Sequence, residues 1–541
     1  MTDQDTARCL EQVETRIASA KRLLENNWER YINVPYDLAR HHLATADQLL
    51  EEARTLASTD AERCLSQASL ASTEAWEGYL HSLPSRVAEA RGVWYRPVEK
   101  SREEVGRTLD RVQAAGFNEL YLETWLWGYT IYPSHTAMIN GIEAQHPAFQ
   151  GYDPLEAFVQ EGESRGIAVH AWLDGFMVGV DPKGGPVLRA YPEWSALSHR
   201  QAHSQKPLPQ QGTGYFWLDL INPAVRMYFL DFVKEIVSTY NVAGINLDFM
   251  RFPHTEEDWQ DTYCYSLYAR EAFQREHGWD PLEISSEQRE LWTIWTKWLE
   301  QQEDEFVSQL YKELKQISPN LIVSAAPEPG AESTKIGNWS QHVDVVIPQA
   351  YYATASEVRP SVHLHKKELM PGNLVYSGIY PMYAQLGAQE TIEQVLAAQD
   401  IDKGTVIFAF GQATDETIRA LRLGPWRNAA NSTGMYPLRA IQALLEAVKT
   451  DMEHIYLPRL AVHEQTALAI TAMLDVFLDA LQSEAGEELA VVFDQKIAEF
   501  KPFLLQHQVD EKIHPIVVEH VRNTLTDIQE LLQYAQSKQV K

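Results

Sequence analysis

Between about residues 90 and 412 the sequence predicts an α/β fold, a (β/α)8 TIM barrel, with all-α segments flanking it on both sides. Short apolar runs that read as buried strands alternate there with segments of helical spacing, eight times over roughly 320 residues. No Gly-x-Gly-x-x-Gly follows the first strand, which weighs against a doubly wound open sheet. Polar and aromatic residues gather where the strands end, the edge at which parallel α/β proteins place their chemistry.

The strands read as residues 91–98, 118–124 and 167–173, the run from Val242 that ends at Asp248, then 321–326, 343–349, 374–379 and 405–410. Helical spacing covers 101–115, 154–165, 223–240, 292–317 and 391–399. The fourth strand is the most informative. In Val242-Ala-Gly-Ile-Asn-Leu-Asp248-Phe-Met-Arg251-Phe-Pro253 an apolar run ends on one carboxylate, and Pro253 can no longer supply a ladder N–H. An Asp salt-bridged to Arg251 for structural reasons is the competing account of that residue.

Other strands end in the same way. Tyr95 and Arg96 close the first, Glu123, Trp125 and Trp127 the second, and Trp172 and Asp174 the third. Glu328 closes the fifth, Gln349, Tyr351 and Tyr352 the sixth, Tyr380 and Tyr383 follow the seventh, and Gln412 follows the eighth. Aromatic faces suit the C–H side of a pyranose, amides and carboxylates suit its hydroxyls, and two acids suit a bond to be cut. The expected substrate contacts are therefore Arg96, Glu123, Trp125, Trp172, Asp174, Arg251, Gln349, Tyr351, Tyr380 and Gln412, and the expected partner is a carbohydrate.

The segments Arg91-Gly-Val-Trp94, Gly116-Phe-Asn118, Tyr132-Pro-Ser134, Gly151-Tyr-Asp-Pro-Leu155, Arg165-Gly-Ile-Ala-Val-His170-Ala-Trp172, Asn222-Pro-Ala-Val-Arg226, Gly244 to Pro253, and Pro348-Gln349 with Tyr351 resemble, in order and spacing, the glycosyl hydrolase-like 10 family. The resemblance spans roughly residues 90 to 415. It implies a bacterial barrel related to the α-amylase-like glycosidases and acting on glycans, cell-wall strands among them, with Asp248 as the leading catalytic residue. The chain departs from the family pattern at three places. Phe249 stands where a second acid often follows the strand-4 Asp, Glu123-Thr-Trp125 replaces a Gln-x-Arg element, and Asp174 replaces an Asn.

Glycoside hydrolysis needs a protonated carboxyl for the leaving oxygen and a carboxylate to attack carbon or activate water. Asp248 suits the second role if Arg251 lies near, and Glu328, after the apolar run 323–327, suits the acid role, which resembles the strand-4 and strand-5 pairing of the α-amylase-like relatives. Glu123, Asp174 and Glu332 are the reserve acids. A barrel that binds glycan without cutting it, and presents it through the helical ends, is the alternative that Phe249 and the acidic departures favour.

Other chemistries fit less well. Strand-end lysines are absent, so a Schiff-base aldolase lacks its nucleophile. His170 and His254 form no zinc-binding arrangement, and His170 reads as a core histidine. Gly411 alone makes no phosphate cradle, so no metal and no cofactor is expected. The Pro-, Gly-, Gln- and His-rich insertion at about 176–217 reads as a loop over the pocket, where Trp194 and Trp217 either meet substrate or pin the loop.

The expected partition is a helical segment over 1–88, the barrel over 89–433 and a second helical segment over 434–541. Apolar stripes at helical spacing mark 38–56 and 60–80 at one end, and 437–451, 458–482, 485–504 and 510–537 at the other. These ends pack as bundles, with homo-oligomerisation through them an open alternative. With 75 acidic against 46 basic residues the formal charge is −29, so neither nucleic acid nor an anionic membrane is an expected partner. Three cysteines, no run of apolar residues approaching a membrane span and no signal-like N-terminus lead to an expected cytoplasmic location.

Overall fold

A computed structural model describes residues 3–180, 184–253, 259–328, 336–381, 385–483 and 486–540. Glu332, Tyr383 and His254, three of the residues singled out above, lie outside the described residues.

Eight parallel strands form the barrel: β1 Ala90–Tyr95, β2 Glu119–Leu126, β3 Ala168–Leu173, β4 Gly244–Leu247, β5 Ile322–Ala325, β6 Val345–Val346, β7 in two pieces, Leu374–Val375 and Ser377–Ile379, and β8 Gly404–Phe408. Each pairs with the next in register from β1 to β6. The ring closes through β7, whose first piece pairs with β6, whose second pairs with β8, and whose Gly378 bridges to Gln349, while β8 pairs with β1. The split of β7 is local, because the N–H of Tyr376 still donates to Val346 O at 3.0 Å.

Period-2 alternation sends every second residue inward, and the inner set is legible in the packing. Ala90, Trp94, Tyr121, Trp172, Ile322, Val345, Ile347, Leu374, Tyr376 and Val406 fill the barrel as one apolar cluster. Trp94 spans this interior, with its Nε1 donating to Asn246 Oδ1 at 3.1 Å. A side chain at Gly378 would meet both Pro348 O and the Trp94 ring, so only glycine leaves the indole room.

That interior cluster continues into the C-terminal helices. Phe477, Phe493, Phe500, Val517, Val521, Ile528 and Tyr534 belong to the same apolar core as the barrel lining. The last helix, Pro515–Val540, lies against the amino-terminal end of the barrel. Its Tyr534 hydroxyl donates to Gly434 O at 3.1 Å, and its Asp527 and Glu530 pair with the buried Lys403 at 2.7 and 3.0 Å. On the floor beneath, Tyr121 Oη donates to Glu119 at 2.7 Å and Ser432 also donates to it. His170 stacks on Tyr121 at 4.7 Å, and burial lowers its proton affinity to a pKa of about 3, so it is a neutral core residue as its sequence position suggested.

The N-terminal helices Asp3–Glu29, Tyr36–Leu56 and Ala61–His81 form a three-helix unit with its own small apolar clusters. Arg459, from the C-terminal segment, lies 3.8 Å from the Trp28 ring and 4.5 Å from that of Tyr31, tying the two helical ends together. Cys9, Cys64 and Cys264 are all free thiols. Helix Glu464–Ser483 is long and apolar enough to cross a membrane by length and composition, a case the reading of the sequence passed over. Ile470, Leu474 and Phe477 on that helix are buried in the bundle core.

Removing the Tyr534 ring takes a fully buried aromatic from the shared core and leaves Gly434 O with only the longer Lys538 Nζ contact at 3.3 Å. Tyr534→Ala is expected to destabilise the chain by about 3–5 kcal/mol. In urea unfolding, tryptophan fluorescence, dominated by the barrel, and far-UV dichroism are expected to shift together; a barrel signal that stays at its wild-type midpoint would contradict the shared core.

Candidate functional site

The inward positions that outrun the apolar interior converge at the carboxyl ends of the strands: Arg96 after β1, Glu123 on β2, Trp172 and Asp174 at β3, Asp248 after β4, Glu328 after β5, Gln349 after β6, Tyr380 after β7 and Phe408 on β8. Asp248 is at the centre. Its Oδ1 accepts from the N–H of Phe249 at 2.9 Å and from Gln349 Nε2 at 3.1 Å, while Oδ2 accepts from Trp172 Nε1 at 3.2 Å. Burial raises its pKa to about 6, against the opposing pull of Arg251 and of the Phe249 and Trp172 donors.

The local backbone is built for that arrangement. Phe249 has φ of 49°, a left-handed conformation that folds its N–H back onto the preceding carboxylate and costs about 1–3 kcal/mol in a residue with a Cβ. Gly175 also has positive φ, and a side chain there would meet the carbonyls of Asp248 and Phe249, so the exits of β3 and β4 cross in close contact. The Phe249 ring, standing where a second acid was the family expectation, packs 5.9 Å from Trp217 and 5.2 Å from the Arg251 guanidinium.

Arg251 pairs with Glu328 and not with Asp248. The sequence offered Arg251 as a possible partner of Asp248; the structure has it acting there through space while its hydrogen bond goes to the strand-5 acid. Glu328 keeps 34% of its side chain exposed, and its charge raises the proton affinity of Asp248. The opposite wall is aromatic. Tyr351 stacks on Tyr380 at 4.5 Å, Tyr380 lies 5.3 Å from Phe408, and the Arg96 guanidinium sits 5.3 Å from Trp172 and 5.4 Å from Phe408. Burial, and then Asp248, push the Tyr351 hydroxyl well above the usual phenol range.

Glu123 and Asp174 lie inside the mouth and are sealed from solvent. Arg96 Nε donates to Glu123 Oε1 at 2.9 Å. Burial raises Glu123 to about 7, partly opposed by Arg96, and raises Asp174 well above the carboxylate range, reinforced by Glu123 and Asp248. Among the described residues no three His, Cys, Asp or Glu side chains are grouped so that they could hold a metal ion.

Two expected contacts are not brought to the mouth. A bulge between Glu123 and Trp125 reverses the alternation of β2, so Trp125 faces the helix layer, fully buried and stacked on Phe232 at 4.3 Å. Gln412 is exposed on the short helix Phe410–Gln412, outside this network. Trp127, two residues past Trp125, is the aromatic of that loop left 42% exposed. The insertion is more ordered than a plain loop, with Met177–Val180 and Tyr215–Trp217 forming an antiparallel ribbon. Trp194 is buried 5.6 Å from Tyr228 of the helix after β3, and Trp217 is buried 5.9 Å from Phe249, so both pin the insertion to the barrel. Phe408 escaped the reading of the sequence, although counting by twos from Gly404 marks it as inward.

Trp172→Phe keeps a ring but removes one of the donors that favour the Asp248 anion. The Asp248 pKa is expected to rise above about 6, read from carboxyl resonances of 13C-aspartate-labelled protein; an unchanged titration would show that the Trp172 contact does not tune the site.

The glycosyl hydrolase-like 10 family matches residues 87–380. Glycosyl hydrolase YngK of Bacillus subtilis (strain 168) is 20% identical over 291 residues, covering 47% of this chain and 50% of YngK. Glycosyl hydrolase DigH of Escherichia coli (strain K12) is 29% identical over 147 residues, 26% of this chain and 32% of DigH. The chain thus spans about half of the one relative and a third of the other. Among solved structures, alpha-L-fucosidase isoenzyme 2 from Paenibacillus thiaminolyticus aligns with a TM-score of 0.44 and 13% identity over 62% of this chain and 48% of its own. On the match to residues 87–380, the chain belongs to the glycosyl hydrolase-like 10 family.

Proposed function

We propose that this protein is a glycoside hydrolase that cuts an oligo- or polysaccharide with Asp248 as nucleophile or base and Glu328 as acid. The observation that carries the reading is the Asp248 carboxylate, held by three donors from three different strand exits and facing an aromatic wall. Donors fixed on both oxygens hold a carboxylate in one orientation as an anion, which is what attack on an anomeric carbon, or on a water beside it, requires. Tyr351, Tyr380 and Phe408 supply flat apolar surface for pyranose rings, and Arg96 and Gln349 supply donors for hydroxyls.

Glu328 is the acid at the mouth with solvent access, so a leaving oxygen can reach it. Arg251 holds it in an ion pair. A bound sugar that displaces this contact and covers the exposed face favours the protonated form, which then donates to the leaving oxygen. Membership in the family and the relatives named glycosyl hydrolases support the same reading.

The test is cleavage of α- and β-linked oligosaccharides, including wall-glycan fragments, followed by product mass. Asp248→Asn is expected to abolish cleavage on every substrate. Glu328→Gln is expected to lower it by about 10²–10⁴-fold on ordinary glycosides, and far less on aryl glycosides whose leaving group needs no proton. Because Asp248 must be ionised, wild-type activity is expected to fall as the pH drops below about 6. Binding without cleavage by the wild type would replace the enzyme with a glycan-binding barrel, and full activity of Glu328→Gln would move the acid role elsewhere.

A further inference from the structure

Glu123 and Asp174 stand outside the chemistry assigned above, and both are 0% exposed. Only Glu123 Oε1 has a full hydrogen-bond donor, Arg96. Glu123 Oε2 and both oxygens of Asp174 make no full hydrogen bond among the described residues, and the Trp127 N–H near Asp174 only weakly favours its anion. The positions are neighbours in the sheet: Glu123 pairs with Trp172 in the β2–β3 ladder, and Asp174 is the next inward residue of β3. The charged groups that act on them are Arg96 after β1 and Asp248 after β4, while Arg251, Glu328 and Tyr351 act on Asp248 and stand one step further out.

Two buried anions served directly by one guanidinium, with a third carboxylate nearby, repel one another in a medium that screens them poorly. A sugar cannot relieve them, because their oxygens have no accessible surface. A metal ion would need a third ligand, and no such group exists among the described residues. A proton is small enough to enter, and one carboxylic O–H turned toward the neighbouring carboxylate gives an acceptor its donor while removing one charge.

We propose that Glu123 and Asp174 share a single proton at neutral pH, a sealed acid–carboxylate pair that acts as a positioning element for Asp248. The pair keeps the negative charge below Asp248 at one rather than two, so Asp248 remains an anion while Arg96 stays anchored over Trp172 and Phe408. This does not rest on the glycosidase reading and holds whether the barrel cuts glycan or only binds it.

The test is a count of protonated carboxyls by infrared spectroscopy of the full chain at about pH 7, comparing wild type, Glu123→Gln, Asp174→Asn and the double variant. In each single variant the introduced amide supplies the donor, so the carbonyl band of protonated carboxyls is expected to lose the intensity of one group. The double variant is expected to lose no more than either single one. No loss in the single variants, or twice the loss in the double, would overturn the shared proton. If a variant fails to fold, the wild type labelled with 13C-aspartate and 13C-glutamate decides: one Asp and one Glu resonance are expected to move together over a single pH step. Two separate steps, or none, would be equally fatal to it. The same pair also makes wild-type stability fall as pH rises from about 5 to about 8, since the folded state holds its proton more tightly than the unfolded chain. Asp174→Asn is expected to flatten that slope in thermal denaturation.

Discussion

A carboxylate closed into a barrel mouth must be given donors to replace water or give up its charge. Asp248 is given three, and much of the surrounding geometry follows from supplying them. Trp172 reaches it because period-2 alternation on β3 turns that indole inward one strand away. Gln349 reaches it from two strands away, at the end of β6. Phe249 reaches it through a left-handed backbone that an ordinary residue adopts only at a cost, and Gly175 is what lets the β3 exit pass over that turn. Replacing the acid at this position by a hydrophobe would leave these donors unmatched.

The two ends of the barrel treat buried polar groups differently. At the floor, Glu119 receives Tyr121 and Ser432, Lys403 receives Asp527 and Glu530, and the last helix covers them with Tyr534. These groups are paired within the chain, and the C-terminal bundle shares the apolar interior of the barrel. At the mouth, Asp248 keeps slight exposure and Glu328 keeps more, and the aromatic wall of Tyr351, Tyr380 and Phe408 is only partly covered. The closed end reads as stability and the open end as binding, the division expected of this barrel architecture.

Much of this was legible in the sequence because alternation is a physical signal. The eight strands and the positions of Arg96, Asp174, Asp248, Gln349 and Tyr380 follow from counting inward residues to the end of each apolar run. Trp125 defeated the count, since a bulge of one residue reverses the facing of everything beyond it and leaves no compositional mark. Gln412 failed for a related reason, lying past the strand on a short helix. The partner of Arg251 was not legible either, because a guanidinium near two carboxylates chooses by geometry that spacing does not encode. The C-terminal helices were visible as amphipathic stripes, whereas their role as the floor of the barrel depends on contacts hundreds of residues apart in sequence, such as Tyr534 with Gly434.

A crystal structure of Asp248→Asn with a bound oligosaccharide measures most directly where a glycan binds. Pyranose rings are expected against Tyr351, Tyr380 and Phe408, with the glycosidic oxygen beside Glu328 and the anomeric carbon over position 248. A saccharide seated away from the strand ends, or one that crosses the mouth with its linkage remote from both carboxyl positions, would contradict this placement.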